Sequence, residues 1–340
     1  MRNRRPEARS RKSSLRPPDA GRAFALGIDI GATKVVSVLV GQDGRVVGHS
    51  GRQVHSNDGP AGVFDSIVAS ARSCLDTSPV EPQCVGVGVA AQVDPARGTV
   101  VYAPNLYWRD VPLGPKLTKE LGLPVRLVND ARAATFAEWK FGAGRGEMDL
   151  FCLVLGTGVG GSAVCGGRLV EGGTHSAGEV GHLTVVSGGR RCHCPNSGCF
   201  EAYVGGWAIA ERAQEAVRAN PAAGRRLLSD AGSLEIINAT TVLRAHRSGD
   251  ALAGQLISET ERFLADGVVS VVNAFNPSAL VLAGGLVAGR PEWVSVVETA
   301  VRTRCQPAAA TVRVVAASLG EDAGAVGAAA LALERSFEGS

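Results

Sequence analysis

One histidine and three cysteines follow one another closely in the chain, beside glycines at 188, 189 and 198 that permit tight turns: His182, Cys192, Cys194 and Cys199. One imidazole nitrogen and three thiolates form a complete tetrahedral ligand set for Zn²⁺, with no position left for water. The spacing therefore predicts a structural zinc site. Three free thiols, a disulfide, and His193 in place of His182 stay open as alternatives.

A carboxylate follows the apolar segment 124–128, at the start of a predicted helix. If that segment is a strand, Asp130 lies at its carboxyl end, at the mouth of an α/β cleft. A carboxylate there can accept a hydroxyl proton during phosphoryl transfer, which makes Asp130 the candidate general base. The alternative is a helix N-cap that accepts N–H groups of the first turn. The turn at 104–106 is expected to bring the Asn105 amide to the same cleft.

Two glycine-rich turns, at 29–34 and 156–161, each follow an apolar segment. Backbone N–H groups in such turns can point at phosphate oxygens because few side chains block the approach. Asp29 could hold Mg²⁺ through water. Neither turn matches a P-loop or a dinucleotide fingerprint, and two hairpin turns without a ligand are the alternative. The candidate phosphate-binding residues are Gly31, Thr33, Lys34, Gly156, Thr157 and Gly158.

Two acidic residues, Glu179 and Glu201, flank the predicted metal loop, which we define as residues 182–201. Carboxylates and an imidazole beside a rigid loop suit directional hydrogen bonds to sugar hydroxyls. The alternative for either glutamate is an exposed surface charge that binds no ligand.

The elements that must position these residues repeat along the chain. A strand, a glycine turn, a strand, a turn and a strand are predicted in 24–50 and again in 149–171, and further strands and helices follow each copy. The repeat predicts two related α/β domains that face each other across a cleft.

Charge and composition argue against several classes of function. Residues 1–22 carry a net charge of +6, so the rest of the chain, whose total is +3, carries −3. The mildly acidic body and the 5% aromatic content argue against a nucleic-acid-binding face. No apolar run is long enough for a membrane span, and the basic start has no apolar segment of a secretory signal behind it. We expect a cytoplasmic protein with a disordered basic tail at 1–22; weak contact of that tail with nucleic acid or anionic lipid stays open.

Seven segments together resemble the ROK family of sugar kinases and repressors: DIGATK at 29–34, APNLYW at 103–108, VNDARAA at 128–134, LGTGVGG at 155–161, AGEVGH at 177–182, CHCPNSGCFE at 192–201 and LAGG at 282–285. APNLYWRDVPL and EWKFGAG are most similar to the actinobacterial ATP-dependent glucokinases of that family. The resemblance covers roughly residues 24–335.

The resemblance implies an α/β sugar kinase fold of two actin-like (ribonuclease H-like) domains around a closing cleft. The expected bounds are 23–138 plus 320–336 for the N-terminal domain and 139–319 for the C-terminal domain. It also implies that the glycine turns hold ATP phosphates with Mg²⁺, that Gly284 and Gly285 approach the adenosine, and that the chain forms homodimers or homotetramers. Asp130 would be the base, and the hexose would be lined by Asn105, Asn129, Asp130, Glu179, His182 and Glu201.

Four residues depart from the usual family pattern: Ala32 and Ser162 in the phosphate turns, Arg132 after the base, and Pro195 in the metal loop. The first two bear on ATP affinity and Arg132 on the choice of sugar, and none removes a catalytic group.

From these residues we expect a hexose 6-kinase, with glucose as the favoured acceptor. N-acetylmannosamine, N-acetylglucosamine, fructose or allose as acceptor, and polyphosphate as donor, are alternatives within the enzyme class. The alternative from another class is a sugar-responsive transcriptional regulator. Only about 23 residues precede the first predicted strand, fewer than the three-helix DNA reader of such a regulator needs.

Overall fold

The computed structural model describes residues 23–31, 33–54 and 59–337. The predicted tail at 1–22 and the Ala32 substitution lie outside the described residues. Within those ranges, no helix combines the length and the apolar composition that a bilayer span requires.

Among the described residues, the first half of the chain contains eight strands and three α-helices. They are β1 (Phe24–Ile30), β2 (Lys34–Gly41), β3 (Val46–Gln53), α1 (Gly59–Asp76), β4 (Cys84–Val89), β5 (Gln92–Asp94), β6 (Thr99–Ala103), β7 (Trp108–Val111), α2 (Leu113–Leu121), β8 (Val125–Asn129) and α3 (Asp130–Lys140).

The second half begins with a similar run of strands and continues into a mostly helical region. Its elements are β9 (Leu150–Leu155), β10 (Val159–Cys165), β11 (Arg168–Leu169), α4 (Glu201–Val204), α5 (Gly206–Ala219), α6 (Arg225–Ala231), α7 (Ala239–Arg247), α8 (Ala251–Phe275), β12 (Ala279–Ala283), α9 (Gly285–Gly289), α10 (Trp293–Arg304), β13 (Arg313–Ala316) and α11 (Ala323–Phe337).

Two five-stranded sheets have the same internal plan. Their orders are β3-β2-β1-β4-β8 and β11-β10-β9-β12-β13, and in each the first three strands are antiparallel while the last three run parallel. Strands β5, β6 and β7 form a separate three-stranded antiparallel sheet. The predicted repeat of strand, turn and strand is therefore confirmed, although β11 ends at Leu169 and is shorter than the predicted segment 168–171.

The central strands β4 and β12 are apolar because both of their faces are covered. All six residues of β4 and all five of β12 are buried, which gives continuous apolar runs instead of alternation. The C-terminal helix α11 packs against β1, β4 and α3, in the first half. Glycines permit this contact, because a Cβ at Gly27 or Gly86 would collide with the backbone carbonyls of Ala325 or Ala328.

Two large hydrophobic cores correspond to the two five-stranded sheets. One contains buried residues from 24 to 127, and the other contains buried residues from 151 to 312, including Phe151, Phe200 and Trp293. A smaller alanine-rich cluster joins β1 and β2 to α3 and α11. The division at 138/139 and 319/320 stays a prediction, and the packing of α11 on the first sheet is compatible with it.

Candidate active site and metal centre

The predicted base lies where β8 ends and α3 begins. Asn129 is the N-cap of α3, because its side-chain Oδ1 accepts the Arg132 N–H at 3.1 Å and its ψ is 142°. The Asn129 Nδ2 group donates to the Ala91 carbonyl at 3.4 Å. The capping role considered for Asp130 thus belongs to its neighbour, and Asp130 is the first residue of the helix.

The Asp130 carboxylate sits among protein atoms at this junction. Burial raises the pKa of Asp130 above its ordinary value, and the N–H groups of Ala131 and of Asp130 itself oppose that rise. A carboxylate with a raised pKa binds a proton more readily than one in water, which is the property a general base needs.

Asp29 lies within electrostatic range of Asp130. Burial, reinforced by the negative charge of Asp130, raises the pKa of Asp29 to about 7, and Lys34 opposes the shift. The carboxylate is packed against two glycines: a Cβ at Gly324 would lie 2.7 Å from the Asp29 Cγ, and one at Gly88 would lie 3.4 Å from Oδ1. The end of β1 and the start of α3 therefore place two acids together.

The first glycine turn is held by backbone contacts and ends in a charged side chain. The Gly31 N–H donates to the Lys34 carbonyl at 2.9 Å, and the Thr33 carbonyl accepts the Val54 N–H at 2.9 Å. Thr33 is exposed. The Lys34 Nζ forms an ion pair with Glu321 Oε2 at 3.0 Å on the surface, so a phosphate would have to compete for it.

The second glycine turn joins β9 to β10 and is contacted by an acid. The Gly156 N–H donates to the Gly158 carbonyl at 3.0 Å, while Thr157 is exposed. The Val159 N–H donates to Glu201 Oε2 at 2.8 Å. A side chain at Gly158 would collide with that carboxylate oxygen, so the turn and Glu201 can approach only because residue 158 lacks a Cβ.

A third glycine segment lies next to the second turn. Strand β12 pairs with β9, with Ala283 opposite Val154, and its end brings Gly284 against the carbonyl of Leu155. Gly284 has a φ of 96°, which a residue with a Cβ rarely adopts. Gly285 is exposed and begins α9. The predicted residues Gly156, Gly284 and Gly285 are thus brought to one edge of the second sheet.

The four predicted metal ligands are brought together. One donor atom from each residue lies within 4.8 Å of those of the others, in a group of His182, Cys192, Cys194 and Cys199. The Cys194 and Cys199 Sγ atoms are 3.6 Å apart, and the Cys192 Sγ lies 3.7 Å from His182 Nδ1. Thiolates around a tetrahedral Zn²⁺ lie about 3.8 Å apart, so the residues fit the ion. The three cysteines are free, so the disulfide alternative is wrong.

The rest of the metal loop supports this cage. The Asn196 N–H donates to the Cys194 Sγ at 3.4 Å, and its side-chain Nδ2 reaches both the Cys199 Sγ and Thr184 Oγ1. His193 lies outside the donor group and stacks on Trp207, so it does not replace His182. Because Nδ1 of His182 faces the thiolates, its Nε2 is the nitrogen left for another partner.

The two flanking glutamates differ in their surroundings. Glu179 is solvent-accessible, but nearby protein atoms raise its pKa. The negative charge of Asp130 adds to that rise, and the His182 side chain opposes it. Glu179 is therefore electrostatically coupled to Asp130. Glu201 accepts the Val159 N–H on one oxygen and the Trp207 indole N–H, at 3.1 Å, on the other. The surface-charge alternative does not describe Glu201.

Asn105 occupies the 3₁₀ turn Pro104–Leu106 beside β6 and β7, and it is exposed. Its place against a sugar stays a prediction. Two sets of contacts, made by Arg132 and Trp207, were not predicted from the sequence. Arg132 donates from its two terminal nitrogens to the carbonyls of His175 at 2.9 Å and Ala177 at 3.1 Å, which precede Glu179. The indole N–H of Trp207 donates to Glu201. The spacing of these residues along the sequence indicates neither contact.

Known proteins match more than nine-tenths of the chain. A glucokinase of Streptomyces coelicolor is 34% identical over 317 residues, which cover 92% of this chain and 98% of that protein. An N-acetylmannosamine kinase of Escherichia coli is 32% identical over 313 residues, with 91% and 98% covered. A xylose repressor of Bacillus subtilis is 24% identical over 315 residues, with 92% of this chain and 77% of the repressor covered.

A solved structure agrees with the same assignment. The ROK family glucokinase of Streptomyces griseus, in complex with glucose and AMPPNP, superposes with a TM-score of 0.81 at 34% identity, covering 92% of this chain and 100% of that one. The ROK family model matches residues 25–335, which include the predicted metal loop and the predicted base. The resemblance seen in the seven sequence segments is confirmed, and the chain belongs to the ROK family.

Proposed function

We propose that the chain is an ATP-dependent hexose kinase that transfers the γ-phosphate of ATP to the 6-hydroxyl of glucose, giving glucose 6-phosphate and ADP. The glucokinase relatives support a hexose kinase, and glucose is the more specific part of the proposal. The observation that carries it is the Asp130 carboxylate, whose pKa is raised by burial and which is coupled electrostatically to Glu179 beside the metal cage.

In this proposal Asp130 accepts the proton of the sugar hydroxyl as that oxygen attacks the γ-phosphate in line. The capping bond of Asn129 keeps the start of α3 in place, so the carboxylate is oriented before the sugar arrives. The hexose is held by hydrogen bonds from the groups that the resemblance implies: Asn105, Asn129, Glu179, His182 and Glu201.

His182 would serve two partners. Nδ1 faces the thiolates, and Nε2 is left to contact a sugar hydroxyl. A metal ligand usually uses its second ring nitrogen for a partner that fixes the ring orientation. The metal would therefore act structurally, by holding the imidazole and the loop that leads to Glu201.

The phosphates of ATP would be held by backbone N–H groups of the two glycine turns, with Thr33, Lys34 and Thr157 adding side-chain donors and Gly284 and Gly285 next to the adenosine. The Asp29 carboxylate fits a cation, because an acid with a pKa of about 7 in a crowded site is stabilised in its ionised form by a nearby positive charge. Mg²⁺ held there would neutralise charge on the phosphates.

A sugar-responsive regulator is the alternative, and a repressor is among the relatives. Sugar binding alone does not require a base, so the coupled acids Asp29 and Asp130 favour the kinase. A cytoplasmic homodimer or homotetramer stays a prediction.

The test is turnover by the purified chain with a panel of hexoses, each offered with ATP or polyphosphate and followed by ADP or product release. We expect glucose with ATP to have the highest kcat/KM. A higher value for N-acetylmannosamine, or for polyphosphate, would replace the proposed substrate. Absence of turnover with every pair, together with sugar-dependent DNA retardation, would replace the kinase with the regulator.

A further inference from the structure

Trp207 touches three parts of the site with three different groups. Its backbone N–H donates to the Thr157 carbonyl at 3.0 Å. Its indole Nε1–H donates to Glu201 Oε1 at 3.1 Å. Its ring stacks on the His193 imidazole, with 3.9 Å between centroids and 21° between planes.

The backbone contact joins a helix start to the second glycine turn. Helix α5 begins at Gly206, and its first N–H groups have no partner within the helix. Those of Gly206 and Trp207 donate to the carbonyls of Gly156 and Thr157, each at 3.0 Å. The position of α5 therefore fixes the backbone of the turn that is proposed to bind phosphate.

The indole contact determines how Glu201 is oriented. One carboxylate oxygen accepts from Trp207, and the other accepts from the Val159 N–H at 2.8 Å. Two donors on opposite ends of one carboxylate leave it little rotational freedom. Glu201 is thus held between the tryptophan and the glycine turn.

The stacking contact joins this arrangement to the metal loop. His193 lies between the ligands Cys192 and Cys194, so its ring position depends on how those thiolates are held. Its Nε2 also lies 3.8 Å from Glu211 Oε1, on the next turn of α5. Loss of order in the loop would remove the ring that lies flat against Trp207.

We propose that Trp207 is a positioning residue that transmits the order of the metal loop to Glu201 and to the second glycine turn. Metal occupancy then controls the affinity for the nucleotide as well as the affinity for the sugar. The identities of these two ligands rest on the proposed function, whereas the connection itself rests on the three contacts of Trp207.

The first test compares two variants of the full-length chain that remove different contacts. Trp207→Phe keeps an aromatic ring against His193 but removes the N–H donor, and His193→Ala removes the stack but keeps the donor. Trp293→Phe is the matched control, because Trp293 also donates an indole N–H to a carboxylate, Glu261 Oε1 at 3.1 Å, away from the site. Calorimetry measures the affinities for glucose and for AMPPNP separately.

Trp207→Phe is expected to weaken the binding of both ligands about three- to tenfold, the usual net effect of losing one hydrogen bond. Trp293→Phe is expected to change the melting temperature without changing either affinity. Equal effects of Trp207→Phe and Trp293→Phe on the two affinities would overturn the positioning role.

A double-mutant cycle tests whether Trp207 acts through Glu201. In a Glu201→Gln background, Trp207→Phe is expected to weaken AMPPNP binding by less than half of its effect in the wild type, since the two changes disrupt one contact. Fully additive effects would show that the tryptophan acts independently, which contradicts the proposal.

Fluorescence tests the connection to the metal without any turnover. Chelation of the bound metal is expected to change the Trp207 emission, obtained as the wild-type spectrum minus that of Trp207→Phe, and His193→Ala is expected to reduce that change. An unchanged response in His193→Ala would overturn transmission through the stack. A wild-type chain that binds AMPPNP but phosphorylates no hexose would refute the kinase proposal alone, because the nucleotide affinities of the variants still decide the role of Trp207.

Discussion

The two halves of the chain hold their site residues in different ways. In the first half, Asp29 lies near the end of β1 and packs against Gly88 and Gly324, where helix α11 approaches the sheet closely, and Asp130 begins helix α3. In the second half, Glu201 and His182 belong to an irregular loop that contains the four predicted metal ligands and receives hydrogen bonds from α5 and β10.

This difference separates two chemical tasks. Close packing desolvates a carboxylate and raises its pKa, which suits proton transfer. A loop that a bound ion would clamp, and that paired donors hold, has a fixed direction, which suits recognition of hydroxyl groups. In the proposed function, the same strand-turn-strand plan supplies the base in one half and the orientation of the sugar in the other.

The largest effect is expected for Asp130→Asn. Asparagine keeps the shape but cannot accept the proton, so we expect kcat to fall by about 10²–10⁴ while glucose affinity changes little. The control is Asp266→Asn, which removes an exposed carboxylate paired with Arg304. Turnover of Asp130→Asn equal to that of the control would show that the first half does not supply the base.

Asp29→Asn tests whether close packing in the first half raises the pKa of a carboxylate. Because the folded-state pKa of Asp29, about 7, exceeds its ordinary value of 3.8, the contribution of Asp29 to stability is fully present below about pH 3.8 and is lost as pH rises through 7. The amide avoids that loss, so we expect Asp29→Asn to increase the free energy of unfolding at pH 8 by on the order of 2–4 kcal/mol and by less at pH 5.

Asp94→Asn is the control for that measurement. Hydrogen bonds from Arg97 lower the pKa of the exposed Asp94, so its stabilising contribution is present above the ordinary pKa and the sign of the effect is reversed. Urea unfolding at the two pH values measures both variants. A pH-independent difference for Asp29→Asn would refute a raised pKa.

A smaller effect is expected for Arg132→Lys. The guanidinium donates to two carbonyls of the loop before Glu179, and an ammonium cannot reproduce that fork. We expect KM for the sugar to rise about three- to tenfold with a smaller change in KM for ATP. The exposed Arg168→Lys serves as the control. A rise confined to KM for ATP would contradict a role in orienting the sugar site.

The smallest effect is expected for Glu321→Gln, which frees Lys34 from an exposed ion pair. Such pairs contribute about 0–1 kcal/mol, so unfolding should change little. If Lys34 binds phosphate, KM for ATP falls or stays constant in Glu321→Gln and rises in Lys34→Gln. The same rise in both variants would show that the pair, not the lysine alone, matters.

Much of the fold followed from local patterns. Continuous apolar segments bounded by glycine turns predicted the repeated strands, and the spacing of His182, Cys192, Cys194 and Cys199 predicted the cluster, because those ligands are close in sequence. Asp130 was predicted as the base from its place after an apolar strand, and that role stays a prediction. Its neighbour Asn129 proved to be the helix cap, because side-chain direction is decided by tertiary contacts.

Contacts between distant residues could not be predicted from one sequence. Trp207 reaches Glu201 and Arg132 reaches the carbonyls of His175 and Ala177 only after the sheets have assembled. Glu138, buried in α3, accepts the N–H groups of Ser318 at 2.9 Å and Leu319 at 2.8 Å, residues near the other end of the chain. Nothing in the local spacing of these residues indicates their partners.

The most direct test asks whether the metal loop orders the sugar site. The metal content of the purified chain is measured, and glucose is titrated before chelation, after chelation and after zinc is restored. We predict one zinc per chain, loss of glucose affinity with the metal, and recovery when it returns. Native protein that contains no transition metal and still binds glucose with full affinity would contradict a sugar site ordered by the metal loop.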